Sequence, residues 1–142
     1  MTTILADFHL GLMVCDSNVS DEDRVWIGRK VWRIGRALIG MAGADSERAA
    51  FLDWYRGGLK GHVKFKESAA LILTPSGLYH YDSNYAMPQK VESGREAIGT
   101  GSKAAMCTHE ALGFQDPRQA VKIVCRHDAS SRGPVRSYKL KR

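Results

Sequence analysis

Nowhere in the chain do apolar residues run on for the roughly twenty positions that a membrane-spanning helix requires. The opening Met1-Thr2-Thr3 carries no basic stretch ahead of Ile4-Leu5-Ala6, so no secretory signal is visible. Cysteine is scarce: Cys15, Cys107 and Cys125 form neither a CxxC pair nor an even set, which argues against a disulfide framework. Reduced thiols in the cytoplasm, serving as small buried hydrophobes, are the simplest expectation for all three. The histidines at 9, 62, 80, 109 and 127 have no HExxH or CxxC companion, so neither a metal nor another cofactor is expected. No G-x-S-x-G elbow is present, which leaves a Ser-His-Asp hydrolase without support. Repeats, low-complexity tracts and linkers are absent as well.

What remains is the composition of an ordinary globular protein, 44% hydrophobic and 25% charged over 142 residues. That length fits one domain, spanning 1–142, with a core that needs no covalent staple. The net charge of +6 gathers partly in Arg136, Lys139, Lys141 and Arg142, without interleaved aromatics. A solvated face accounts for it better than a nucleic-acid site, and a basic nucleic-acid module rests on this charge alone.

The pattern along the chain alternates hairpins and helices. Thr3 to Phe8 and Leu12 to Cys15 read as strands, followed by a polar loop from Asp16 to Asp23. Lys30 to Ile34 and Ala37 to Met41 flank the turn Gly35-Arg36 and predict a hairpin. Asp45 or Ser46 is placed to cap a helix whose apolar set is Ala49, Ala50, Leu52, Trp54 and Tyr55, stopped by Gly57-Gly58. After a loop over 59–67, Ala69 to Leu73 and Leu78 to Tyr81 form a second hairpin, and Glu96 to Gly99 one more strand. A helix is expected over 102–112. Asp116-Pro117 starts another, with Ala120, Val121 and Val124 on its buried face. Val135 to Leu140 closes the chain as a strand. Paired strands with clustered helices predict stacked antiparallel sheets with helices outside.

Chemistry is suggested first at Thr2. An N-terminal threonine carries its own base, because its α-amine (reference pKa ~7.7–8.0) is partly neutral near pH 7 and can take the hydroxyl proton during attack on a carbonyl. Removal of Met1 before so small a residue is expected. Further along stand Cys15-Asp16-Ser17, Arg29-Lys30-Val31, Met41-Ala42-Gly43-Ala44, Ile98-Gly99-Thr100-Gly101 and Arg126-His127-Asp128-Ala129-Ser130-Ser131-Arg132-Gly133. The Gly99-Thr100-Gly101-Ser102-Lys103-Ala104 stretch also fits a dinucleotide fingerprint. Its helix is followed by a second helix instead of a parallel strand, so a strand-to-helix turn is the better reading.

In residue types, order and spacing these segments resemble the β-type subunits of the proteasome and the proteasome-like peptidase of the bacterial heat-shock locus, closest to compact bacterial or phage members. The resemblance implies an α+β, four-layer αββα N-terminal-nucleophile (Ntn) hydrolase sandwich with one helical layer reduced. It implies Thr2 as nucleophile, Asp16 as the carboxylate orienting the catalytic Lys30, and Gly43 as the backbone oxyanion donor. Thr100 stands where the family has serine, and Asp128 and Ser131 match the pair beside the nucleophile's amine. Val19, Trp32 and Met41 fall at positions lining the family's specificity pocket. Three departures are visible: a shorter Asp16-to-Lys30 spacing, threonine at 100, and a short 57–66 segment where relatives carry a second helix.

The expected activity is therefore that of a cytoplasmic threonine endopeptidase acting on polypeptide. A homo-oligomeric ring that encloses the sites, fed by an unfolding ATPase, goes with the resemblance, and a membrane partner does not. A catalytically silent assembly homologue of the same fold is the alternative.

Overall fold

The computed structural model describes residues 2–20, 25–127 and 133–142. Three sheets are present among them. The first is four-stranded, β10-β1-β2-β11, from β1 (Thr3–Asp7), β2 (Leu12–Cys15), β10 (Arg95–Gly99) and β11 (Arg136–Lys139). The second is five-stranded, β5-β6-β7-β8-β9, from β5 (Val31–Ile34), β6 (Ala37–Ala42), β7 (Ala69–Thr74), β8 (Gly77–Asp82) and β9 (Gln89–Lys90). A short ribbon pairs β3 (Asn18–Ser20) with β4 (Val25–Ile27). All pairings are antiparallel.

The side-chain period of two sorts each strand between two interiors. Ile4, Ala6, Met13 and Cys15 of the first sheet meet Val31, Leu38, Leu71 and Leu78 of the second, forming the layer between sheets. On the opposite face of the first sheet, Leu5 and Val14 pack on Ala120 and Val121 of helix α3 (Pro117–His127), which lies beside α2 (Ser102–Ala111). On the opposite face of the second, Ile39, Ala70 and Ile72 pack on α1 (Asp45–Arg56). This is the expected α+β sandwich of two antiparallel sheets with helices outside. Burial of β1 on both faces explains why it reads as a continuous apolar run instead of an alternating one.

Among the described residues, α1 is the one helix packed on the outer face of the second sheet. In place of a second helix, 57–67 runs without regular structure and inserts Phe65, fully buried, against Phe51 and Tyr81 at ring-centroid distances of 5.4 and 5.1 Å. The Tyr81 hydroxyl donates to the Val63 carbonyl and ties this segment down. Phe51, Phe65 and Tyr81 thereby close an aromatic cluster on this face of the second sheet.

Several expectations are corrected. The core face of α1 is Phe51, Leu52 and Trp54, whereas Ala49 and Ala50 are exposed. A buried phenyl outweighs two methyl groups in deciding which face turns inward. The helix N-cap is Ala44, not Asp45 or Ser46, and it makes no side-chain cap. The polar loop over 16–23 contains β3, because ladder hydrogen bonds with β4 satisfy the backbone of a segment in which Val19 stands alone between polar side chains. Of the cysteines only Cys15 is buried, while Cys107 is exposed on α2. The Asp116 cap is present, its carboxylate accepting the Gln119 N–H at 3.0 Å. No helix of the described residues is long and apolar enough to cross a membrane.

Candidate active site

The antiparallel register of β1 and β10 sets Thr3 opposite Gly99. Gly99 has φ +93°, and a Cβ on it would sit 1.9 Å from the Thr2 carbonyl oxygen, so only glycine allows this approach. The Gly99-Thr100-Gly101 turn thereby lies directly against the segment that carries Thr2. β10 runs antiparallel to β1, which removes the parallel βαβ context that a dinucleotide site requires.

Asp16, at the end of β2, is completely buried. Its carboxylate accepts the Thr3 N–H at 2.9 Å, the Asn18 N–H at 3.3 Å, and the Lys30 ammonium at 2.8 and 2.9 Å. A buried charge is tolerable only with such a set of donors and a counter-ion. Lys30, 5% exposed, is fixed a second time through its backbone: its carbonyl accepts the Met41 N–H at 3.0 Å. The lysine head and the start of β1 are therefore held by one carboxylate. The neighbouring Ser17 hydroxyl donates to the Pro134 carbonyl at 2.6 Å and anchors the approach to β11 beside this carboxylate.

Gly43 follows β6 with φ +126°. A Cβ there would meet Ser68 Oγ at 2.2 Å and its Cα at 2.6 Å, so this bend also requires glycine. The Ser68 hydroxyl accepts the Ala44 N–H at 3.0 Å and donates to Glu47 Oε1 at 2.9 Å. Glu47 also accepts the N–H groups of Lys66 and Glu67. Burial works to raise the Glu47 pKa, but these hydrogen bonds outweigh it and hold the group below its ordinary value.

Thr2, Lys30, Gly43 and Thr100 line one cavity of about 710 Å³, together with Asn18 and Val19. This is within the range of ligand-binding clefts, roughly 300–1,000 Å³. Met41 also lines it, but Trp32 does not; Trp32 lies under the Arg48 guanidinium, 5.1 Å from ring centroid to Cζ. Arg48 pairs in turn with Asp45 at 2.7 Å, placing a fixed charge pair on the wall. Asp128 and Ser131 lie outside the described residues, as does Met1. Asp16 stands behind Lys30 and does not itself line the cavity.

Sequence reasoning missed Asn18, Glu47 and Ser68. Glu47 had a legible signal, a glutamate at the third helical position, the place of the acid in a capping box. Asn18 and Ser68 belong to no motif. Cys15, beside Asp16, is no competing nucleophile: burial, with the Asp16 charge adding, pushes its thiol up to about 12.

No family model and no curated protein matches the sequence. Solved structures do. Thiobacillus denitrificans BPH in complex with epoxomicin is 17% identical, with a TM-score of 0.74 over 99% of this chain and 100% of that one. The same BPH in a second structure gives 0.73 at 17% identity, over 99% of both chains. Eukaryotic HslV from Trypanosoma brucei gives 0.78 at 19% identity, over 99% of this chain and 100% of that one. The chain has the four-layer fold of HslV and the proteasome-type Ntn hydrolases.

Proposed function

We propose that the chain is a threonine-type peptidase subunit whose nucleophile is the hydroxyl of Thr2, freed at its α-amine by removal of what precedes it. The observation that carries this reading is the convergence of Thr2, Lys30 and Gly43 on one cavity, with Lys30 locked by the buried Asp16. In the proposed reaction the Thr2 α-amine takes the hydroxyl proton, directly or through water, as the oxygen attacks the scissile carbonyl carbon. The Lys30 ammonium favours the developing alkoxide and the neutral amine, and Asp16 keeps that charge from turning to solvent. The carbonyl oxygen becomes an oxyanion opposite the Gly43 N–H, a donor of the kind that supplies about 3–4 kcal/mol. Collapse breaks the C–N bond, the departing amine takes up the proton, and water then hydrolyses the ester on Thr2. Thr100 brings a hydroxyl to the same wall, and Asp128 and Ser131 are assigned beside the amine by resemblance.

The proposal extends to a homo-oligomeric ring acting on polypeptide, which sedimentation of the purified chain tests. Protein shown by intact mass to begin at Thr2 should cleave fluorogenic peptides, and Thr2→Ala should abolish this, by at least ~10³-fold. Epoxomicin, the compound bound in the BPH complex, should add one molecule's mass per chain to the wild type and none to Thr2→Ala. Equal cleavage by both proteins sinks the nucleophile assignment. Absence of both cleavage and adduct in chain beginning at Thr2 favours the silent assembly homologue.

A further inference from the structure

The N-terminus of α1 lacks the usual cap, and what replaces it points at the cavity. In a capping box, a serine at the N-cap bonds the third helical N–H, and a glutamate at that third position reaches back to the N-cap N–H. Here the N-cap is Ala44, which has no group to offer, and Glu47 occupies the glutamate's place. Ser68, 24 residues away and 3% exposed, completes the arrangement from outside the helix. Its hydroxyl accepts the Ala44 N–H and donates a hydrogen bond to Glu47 Oε1.

We infer that Ser68 and Glu47 are positioning residues for the oxyanion donor at Gly43, acting by clamping the 43–44 turn against the start of β7. This rests on the peptidase reading above. Gly43 and Ala44 both line the cavity, and Ser68 lies in contact with the place where a Gly43 Cβ would be. The clamp engages the Ala44 N–H, whereas no described backbone group accepts the Gly43 N–H. One of two successive donors is thus used to fix the 43–44 peptide, on the far side of the Gly43 Cα, and the other is left for an incoming anion. Glu47 holds the far side of the clamp by taking the Lys66 and Glu67 N–H groups, so the segment carrying Ser68 into β7 is tied to α1. Gly43 at φ +126° is free to swing without this restraint, since glycine has no side chain to limit it.

The test is Ser68→Ala, with Glu47→Gln as the second variant in case the first fails to fold, each compared with wild type and Thr2→Ala. Displacing an intact donor by an ångström or less costs about tenfold to a hundredfold in rate, so kcat should fall by that factor with KM changed less than about twofold. Amide exchange at Ala44 should accelerate by a similar factor, with the β6–β7 ladder unchanged. This readout is independent of turnover. Unchanged exchange, or faster exchange with unchanged kcat, overturns the inference. A wild type no more active than Thr2→Ala overturns the peptidase reading and the catalytic sense of the clamp with it. Faster Ala44 exchange would then still identify Ser68 as what holds the turn.

Discussion

The two ends of β1 solve the same electrostatic problem and reach opposite results. At the Thr3 end, Asp16 is wholly buried and accepts two backbone N–H groups and a lysine. At the far end, Asp7 is also wholly buried and accepts the Leu10 N–H at 3.1 Å, Arg95 Nε at 3.0 Å and His109 Nε2 at 2.8 Å. Burial raises the Asp7 pKa, but the bonds from His109, Leu10 and Arg95 prevail and keep it below the usual carboxylate range. What differs is the partner's other side. Lys30 lines an open cavity, whereas His109 is fully buried and Arg95 is covered by Phe114, 4.2 Å away. A buried carboxylate with a cation becomes a candidate site only where the cation keeps one face toward space that a ligand can enter. Elsewhere it is a staple.

The widest separation between the two ends should appear in activity. Lys30→Ala removes a charge from the cavity that Thr2 also lines and, on the proposed mechanism, should lower kcat by about 10²–10⁴-fold, whereas Asp7→Ala should leave the kcat of the folded fraction within about threefold. Stability should show the reverse emphasis. Asp7→Ala strands Arg95 and the β10–α2 corner and should cost about 3–5 kcal/mol by denaturant unfolding. If Asp7→Ala instead cuts kcat as deeply as Lys30→Ala, the two ends are one functional unit and the contrast fails.

Acid sharpens the same comparison. The depressed Asp7 pKa adds stability that is present above its unfolded value, near 3.8, and lost as pH falls through the folded one. The wild-type curve should therefore be steeper below pH 4 than that of Asp7→Asn.

The smallest effect belongs to a third cluster, the most exposed of the three. His80 on β8 bonds Glu96 on β10 at 3.0 Å and Asp82 at 2.7 Å, linking the two sheets. The Glu96 hydrogen bond raises the His80 pKa against the opposing effect of burial, and Asp82 adds to the rise. Its contribution is thus full below the unfolded pKa of 6.5 and lost as pH rises through the higher folded value. His80→Gln should remove this slope at a cost of about 1 kcal/mol or less at pH 6, read from unfolding midpoints.

Periodicity in the sequence made most of the layers legible. Hairpins announced themselves by turns such as Gly35-Arg36, and the α3 face by Ala120, Val121 and Val124. Apolar pattern failed where strands are too short to show a period, as in the three-residue β3 and the two-residue β9. It also failed in part at α1, where the expected apolar set holds Leu52 and Trp54 but includes the exposed Ala49 and Ala50 and omits the buried Phe51. At the site, Thr2, Lys30, Gly43 and Thr100 became legible jointly through resemblance, and the cavity unites those four. Ser68 was illegible because its role depends on a tertiary approach to Gly43 and Ala44, and one serine before a strand has no distinguishing pattern. Asn18 contributes a backbone N–H to Asp16, a role no side-chain motif encodes.

The burial of Cys15 has a practical consequence. The Cys15 thiol, next in sequence to Asp16, is shielded and held protonated, while Cys107 stands exposed on α2. A maleimide dye should therefore react first at Cys107, giving a fluorescent handle on native protein that leaves the cleft unmarked. The proposed ring assembly could then be tested by anisotropy without engineering a cysteine into the chain.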